Sequence, residues 1–233
     1  MAAAPELHPH ALRGTPVEAV ILTNGDVDHI AGLLTLRERT CFDLLATSDI
    51  LAILEENSVF GVMARDVVNR RRIEVGAPFE AAGLNFRAFA VPGKVALFKE
   101  GETVDTAAMG DQTVGLEIWH GAQRIYYVPG CAALPDWLVE QLSDGDLILF
   151  DGTVWEDDDM HRTGTGKKTG LRMGHLPMSG PDGSLARLAG VRARKVYIHL
   201  NNTNPAIRPD GPERAAITNA GWTIAQDGME FRP

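Results

Sequence analysis

The chain alternates short apolar runs with helical patterns, and each run ends at recognisable turn residues. Residues 17–23 (VEAVILT) are apolar and β-branched and stop at Asn-Gly, which predicts a buried strand. Residues 28–37 carry Ile30, Leu33, Leu34 and Leu36 near helical spacing, with Asp28 placed to cap or begin the helix. A strand is predicted over 43–47, followed by a helix over 48–55 with Ser48 or Asp49 at its N-cap. From 71 to 128 the pattern turns β-rich, with strands expected over 72–75, 84–91, 113–119 and 124–128. The last two flank HGAQ at 120–123, a hairpin signal. Further on come a helix over 135–142, a strand over 146–150 (DLILF), a helix over 181–188, a strand over 195–200 (KVYIHL), a helix over 212–220 and a strand over 222–225. Residues 155–181 are Gly-rich and polar, too long for a passive connector, and predict a functional loop. A β-rich middle with helices at both ends predicts a layered α/β protein. Residues 1–16 read as a loose tail and 17–233 as one domain, with no repeat and no dividing linker.

Composition narrows the picture. The 233 residues are 45% hydrophobic and 23% charged, which excludes a disordered, collagen-like or coiled-coil chain. The formal charge is −9, from 22 basic and 31 acidic residues, so a phosphate backbone is a poor general partner. The run Arg70-Arg71-Arg72 is the local exception and reads as a solvated turn before a strand. Two cysteines, Cys41 and Cys131, make neither a disulfide framework nor a four-cysteine zinc site. No window approaches 18 uninterrupted apolar residues and the N-terminus has no signal-peptide pattern, so the expectation is a cytoplasmic protein without a membrane span.

The candidate chemistry lies in four places. Thr23-Asn24-Gly25-Asp26-Val27-Asp28-His29 follows a buried strand and opens a helix, where ligands bind in open α/β sheets. Asp26 and Asp28 would repel each other unless a cation lay between them, and that crowding favours metal over a plain Asx turn with a packed His29. His199 ends a strand and faces the polar loop NNTNP; alone it reads equally well as a satisfied core histidine. His175, in GHLPMSG, is a ligand, a proton shuttle or a surface residue, and nothing local decides. Asp151 ends the DLILF strand, placed to ligate metal or to hydrogen-bond a ligating histidine. Cys131 reads best as a small buried apolar residue. The Gly164–Thr169 stretch lacks the glycine and the preceding strand of a phosphate loop.

The strand followed by Asn24-x-Asp26-x-Asp28-His29 resembles the metallo-β-lactamase-fold signature H-x-H-x-D-H, with the first two histidines replaced. Together with VPGK, YVPGCAA, LFDGT, RMGH-x-x-MSGPDGS, IHLNNTNP and the DGME tail, the chain resembles the pyrroloquinoline quinone (PQQ) biosynthesis protein B family from about Val17 to Phe231. That resemblance implies an αββα sandwich with the metal site at one sheet edge, here lacking part of the first sheet because the usual N-terminal segment is short. It implies a role in making PQQ from a peptide in which Glu and Tyr are cross-linked. Two roles are implied for the family: an iron-dependent hydroxylase of the tyrosine ring, or a non-catalytic carrier of PQQ or its precursor towards the periplasm.

Departures from the superfamily pattern refine the expected site. Lys94 stands where a histidine is usual and Cys131 where an aspartate bridges two metals. Asp28, His29 and His199 remain as ligands, a two-histidine, one-carboxylate set suited to Fe(II), with zinc as the alternative ion in purified protein. Asp26 and His175 are the expected catalytic residues, and Asn24 and Asp151 the residues that support the ligands from behind. Lys94 and Arg172, among the cations Arg162, Lys167 and Lys168, are expected to hold the carboxylates of a small quinone precursor. Other PQQ-pathway proteins and a second copy of the chain are the remaining expected partners. A two-zinc metallohydrolase is the competing reading from fold alone.

Overall fold

The computed structural model describes residues 4–12 and 14–231. The expected loose tail over 1–16 therefore falls partly outside the described residues, and within it Pro5–Leu7 form a single 3-10 turn.

Strands β1 (Ala19–Ile21), β2 (Phe42–Ala46) and β3 (Val68–Arg72) form a parallel sheet in the order β1-β2-β3. The second sheet has seven strands: β4 (Pro78–Ala81), β5 (Leu84–Ala90), β6 (Val114–His120), β7 (Gln123–Val128), β8 (Leu147–Asp151), β9 (Arg194–Ile198) and β10 (Trp222–Ile224). They run in the order β10-β9-β8-β7-β6-β5-β4; pairs from β4 to β7 are antiparallel and those from β7 to β10 are parallel. Side chains alternate across each strand, and the alternation sorts the core into three layers. Phe42, Leu44 and Ala46 of β2 pack with Ile50, Ile53 and Leu54 of a covering helix. Leu45, on the opposite face, meets Phe86, Ala88, Val114 and Leu116 of the second sheet. Tyr126, Val128, Ile148 and Phe150 point the other way, onto Leu138, Leu142 and Ile217 of the outer helices. The result is the αββα sandwich that the resemblance implied.

Helices α1 (Val27–Ile30) and α2 (Ser48–Glu56) flank the first sheet; α3 (Asp136–Leu142), α4 (Asp159–Arg162), α5 (Gly170–Met173), α6 (Ser184–Arg187) and α7 (Pro212–Asn219) follow. Three sequence expectations change. The helix expected over 28–37 is one α-turn followed by a 3-10 segment, Ala31–Leu36, with Gly32, a poor helix former, near the join. The basic run is not a turn, and the strand expected over 72–75 runs instead over Val68–Arg72: Arg70, Arg71 and Arg72 lie in β3, where Arg71 pairs with Asp43 at 2.7 Å and Arg72 with Glu74 at 2.8 Å. β3 is an edge, and charge on an edge blocks unwanted strand addition. β4, which the pattern missed, begins at a proline and is also an edge, the position where proline is tolerated.

Gly115 marks the tightest crossing inside β6. A Cβ there would sit 2.5 Å from Phe89 Cζ, too close for a packed ring to accommodate freely. Gly115→Ala is expected to lower stability by about 1–3 kcal/mol, the usual cost of overpacking, read as a lower urea midpoint. An unchanged midpoint would mean that the ring finds room.

Candidate metal centre

Strands β1, β8 and β9 deliver their following residues to one end of the sandwich, so residues far apart in the chain meet there. Asp28 and His29 sit on α1, just beyond β1. His199 directly follows β9 and has φ +57°, a left-handed backbone that is uncommon for a residue with a Cβ. Such strain persists where surrounding contacts over-determine it. Asp151 ends β8, Thr153 follows two residues later, and His175 enters from the long loop after α5.

Ligand atoms of Asp28, His29 and His199 all lie within 4.8 Å of one another, a spacing one ion can draw together. The His29 and His199 ring centroids are 4.7 Å apart, and His199 Nε2 lies 3.1 Å from Asp28 Oδ2. The hydrogen bond from His199 holds the Asp28 carboxyl down to about 2, so it is ionised and ready to ligate. Burial pushes the His29 imidazole below its ordinary value and keeps it neutral, the form that binds metal. Burial disfavours charge on His199 as well, but Asp151 and Asp28 outweigh it and raise this ring to about 9. Two imidazoles and a carboxylate are a coherent donor set for a divalent transition metal, so the residues fit the expected group.

Behind the ligands stands a fully buried carboxylate. Asp151 accepts the His175 Nδ1–H at 2.7 Å, the Cys131 backbone N–H at 3.2 Å and the Thr153 backbone N–H at 3.0 Å. Burial alone would raise its pKa; His175 and His199 instead hold it well below the carboxylate range. The Thr153 hydroxyl donates to Asp151 Oδ1 at 2.6 Å, which leaves its oxygen to accept the His199 Nδ1–H at 2.8 Å. This relay of carboxylate, hydroxyl and imidazole fixes the His199 tautomer and leaves Nε2 for a metal. A second grouping, Asp151, His175 and His199, has the same spacing but uses its ligand atoms internally, and therefore reads as support for the first.

Asn24 sits one layer out, its Oδ1 accepting the Asp26 backbone N–H at 2.9 Å. Asp26 lies outside the ligand group: Oδ1 accepts the Leu97 N–H at 2.7 Å and Oδ2 lies 3.4 Å from Lys94 Nζ. Arg172 reaches Glu100 at 2.8 Å, whereas Arg162 pairs with Glu156, away from the centre. Two cavities open beside the ligands. One, of about 290 Å³, is lined by Asp28, Thr153, Met173, His175, His199 and Asn201 among others. The other, of about 420 Å³, has Val27, Ala31, Leu97 and Met173 on its apolar walls and Lys94 and Lys168 as its cations.

A family model described as a beta-lactamase superfamily domain matches residues 1–200. The coenzyme PQQ synthesis protein B of Ruegeria pomeroyi is 57% identical over 226 residues, covering 97% of this chain and 77% of that protein. The chain belongs to the coenzyme PQQ synthesis protein B family. A solved structure of Zn(2+)-bound PqqB from Methylobacterium extorquens superposes on all of this family member with a TM-score of 0.96 at 49% identity, and the chain spans 79% of it. The metallo-beta-lactamase fold protein YhfI from Bacillus subtilis, at 13% identity and a TM-score of 0.64, shares the fold alone.

Three residues of this PQQ synthesis protein B family member escaped the sequence reading. Thr153 was in view only as part of Asp-Gly-Thr, and nothing local points its hydroxyl at two histidines. Asn204 is buried and donates its side-chain amide to the Gly152 carbonyl at 2.8 Å, tying the NNTNP loop to the end of β8. Glu100 gathers Lys94, Lys168 and Arg172, and only the folded chain shows that convergence.

Proposed function

We propose that the chain is a hydroxylase of PQQ synthesis that takes Fe(II) at Asp28, His29 and His199 and oxidises the tyrosine ring of the Glu–Tyr cross-linked precursor. The observation that carries this reading is the donor set itself. Two imidazoles and one carboxylate would hold a divalent ion beside the smaller cavity, and such a set suits an ion that activates oxygen. Iron bound there would supply the activation of O2 that no side chain can provide. A zinc hydrolase finds less support, because the positions of three usual histidines and a bridging aspartate hold Asn24, Asp26, Lys94 and Cys131. Cys131 is fully buried, and burial raises its thiol out of the range of a ready ligand.

The chain's own groups divide the remaining work. Asp151 holds His175 through Nδ1, so Nε2 is left to give or take a proton at the ring oxygen. His175 borders both cavities, as that role requires. Val27, Leu97 and Met173 offer an apolar wall for the aromatic ring, and Lys94 meets a carboxylate. Asp26 fixes Lys94 in that position, and Arg172 acts one layer further out through Glu100. The product passes to other proteins of the pathway, and two unpaired cysteines suit a reducing cytoplasm.

Aerobic incubation of iron-loaded protein with the cross-linked diamino acid and a two-electron reductant such as ascorbate, which carries the second oxygen atom to water, should yield a product heavier by oxygen, detected by mass spectrometry. His175→Gln should lower turnover by about 10²–10⁴-fold, the span of general acid–base catalysis, with substrate binding retained. Binding without any mass change would instead establish the carrier role.

A further inference from the structure

Five charged side chains meet beside the larger of these two cavities, and three of them, Asp26, Lys94 and Lys168, line it. Lys94 Nζ lies 3.4 Å from Asp26 Oδ2 and 3.1 Å from Glu100 Oε1. On the other oxygen of Glu100, Arg172 Nη2 donates at 2.8 Å and Lys168 Nζ lies at 3.5 Å. Three cations thus face two carboxylates in this cluster, and Asp28 adds a third carboxylate to the same cavity. Glu100 is not carried by a helix or strand; it follows the 3-10 turn Leu97–Lys99 on the long connection between β5 and β6. Its side chain is only 8% exposed. A carboxylate ringed by Lys and Arg and lodged beside a cavity has the surroundings of a bound carboxylate ligand. Lys94 and Lys168 line that cavity with Asp26, Asp28 and His175, Val27, Ala31, Leu97 and Met173 form its apolar part, and Glu100 and Arg172 stand just behind the lysines.

We propose that Glu100 is a built-in occupant of a carboxylate subsite, and that a carboxylate of an amino-acid-like ligand exchanges with it for Lys94 and Lys168. Arg172 retains Glu100 during the exchange, so no bare charge is left buried. The hydrogen bond from Arg172 holds the Glu100 carboxyl down to about 2, so it competes as an anion throughout the physiological range. The apolar wall next to the two lysines selects a ligand whose carboxylate is attached to a hydrophobic body. The ligand class rests on the proposed function; the anion exchange itself needs no oxidation and is tested separately.

The probe is glutarate, titrated calorimetrically into the zinc-loaded full chain, with neutral glutaramide as its twin. Glu100→Gln removes the internal competitor and should tighten glutarate about tenfold while leaving glutaramide unchanged. Lys168→Met alters a side chain 41% exposed, which folding tolerates, and should weaken glutarate at least about fivefold. Equal affinity of wild type and Glu100→Gln, or glutarate binding indifferent to Lys168→Met, overturns the proposal. So does an equal gain for both probes, and so does the absence of glutarate binding in every form. Failure of hydroxylation with this exchange intact would count against the enzyme reading alone.

Discussion

His199→Ala should lower the affinity for a divalent metal by more than about a hundredfold, exceeding the 10–100-fold typical when a residue behind a ligand is lost. His199 contributes a ligand nitrogen and also connects the buried Asp151–Thr153 pair to Asp28. Its loss leaves Asp28 and His29 as neighbours on one short helix, too few to hold an ion. The pH dependence follows from the same contacts. Without metal the ring holds its proton up to about 9, and an ion must displace that proton to reach Nε2. Apparent affinity should therefore rise with pH and fall about tenfold for each unit below 9. Competition with a chromophoric chelator at several pH values measures both effects. A His199→Ala protein that retained wild-type metal content would remove His199 from the site.

Asp151→Ala should be the most destabilising change at this end of the molecule. It strips the acceptor from the buried N–H groups of Cys131 and Thr153 and the counter-charge from His175. Removing one partner of a buried charged network costs about 3–5 kcal/mol. For a chain of this size that is a fall in melting temperature on the order of 10 °C. Asp151→Asn keeps the volume and one acceptor, so it should lose less stability and still misplace His175. Calorimetry separates the two variants, and a loss under about 1 kcal/mol for the alanine form would mean that water replaces the carboxylate.

What was readable before folding divides along physical lines. Strands buried on both faces announce themselves, as DLILF and KVYIHL do, because an unbroken apolar run bounded by turns has few other uses. The crowding of Asp26, Asp28 and His29 was visible because it is local. Two edge strands were misread, since β3 carries three arginines and β4 starts with proline, patterns that follow solvent rather than core, whereas the apolar edges β1 and β10 were legible. Contacts between distant positions were out of reach. Arg172 and Glu100 are 72 residues apart, and Thr153 and His199 are 46 apart. Neither pair leaves a periodic trace. Lys94 and Arg172 stood out as cations near the motifs, but the carboxylate that organises both did not.

The contact between His199 and Asp28 spans 171 residues of chain and joins an element of one sheet to an element of the other. Closing so long a loop costs entropy that local pairs never face. Whatever holds those two side chains together therefore behaves as a rivet between layers, and it stabilises the fold only by as much as its binding exceeds that closure cost. Chelation would then act on the architecture as well as the chemistry. The two layers should melt less cooperatively once the rivet is drawn, with the three-stranded layer first to loosen.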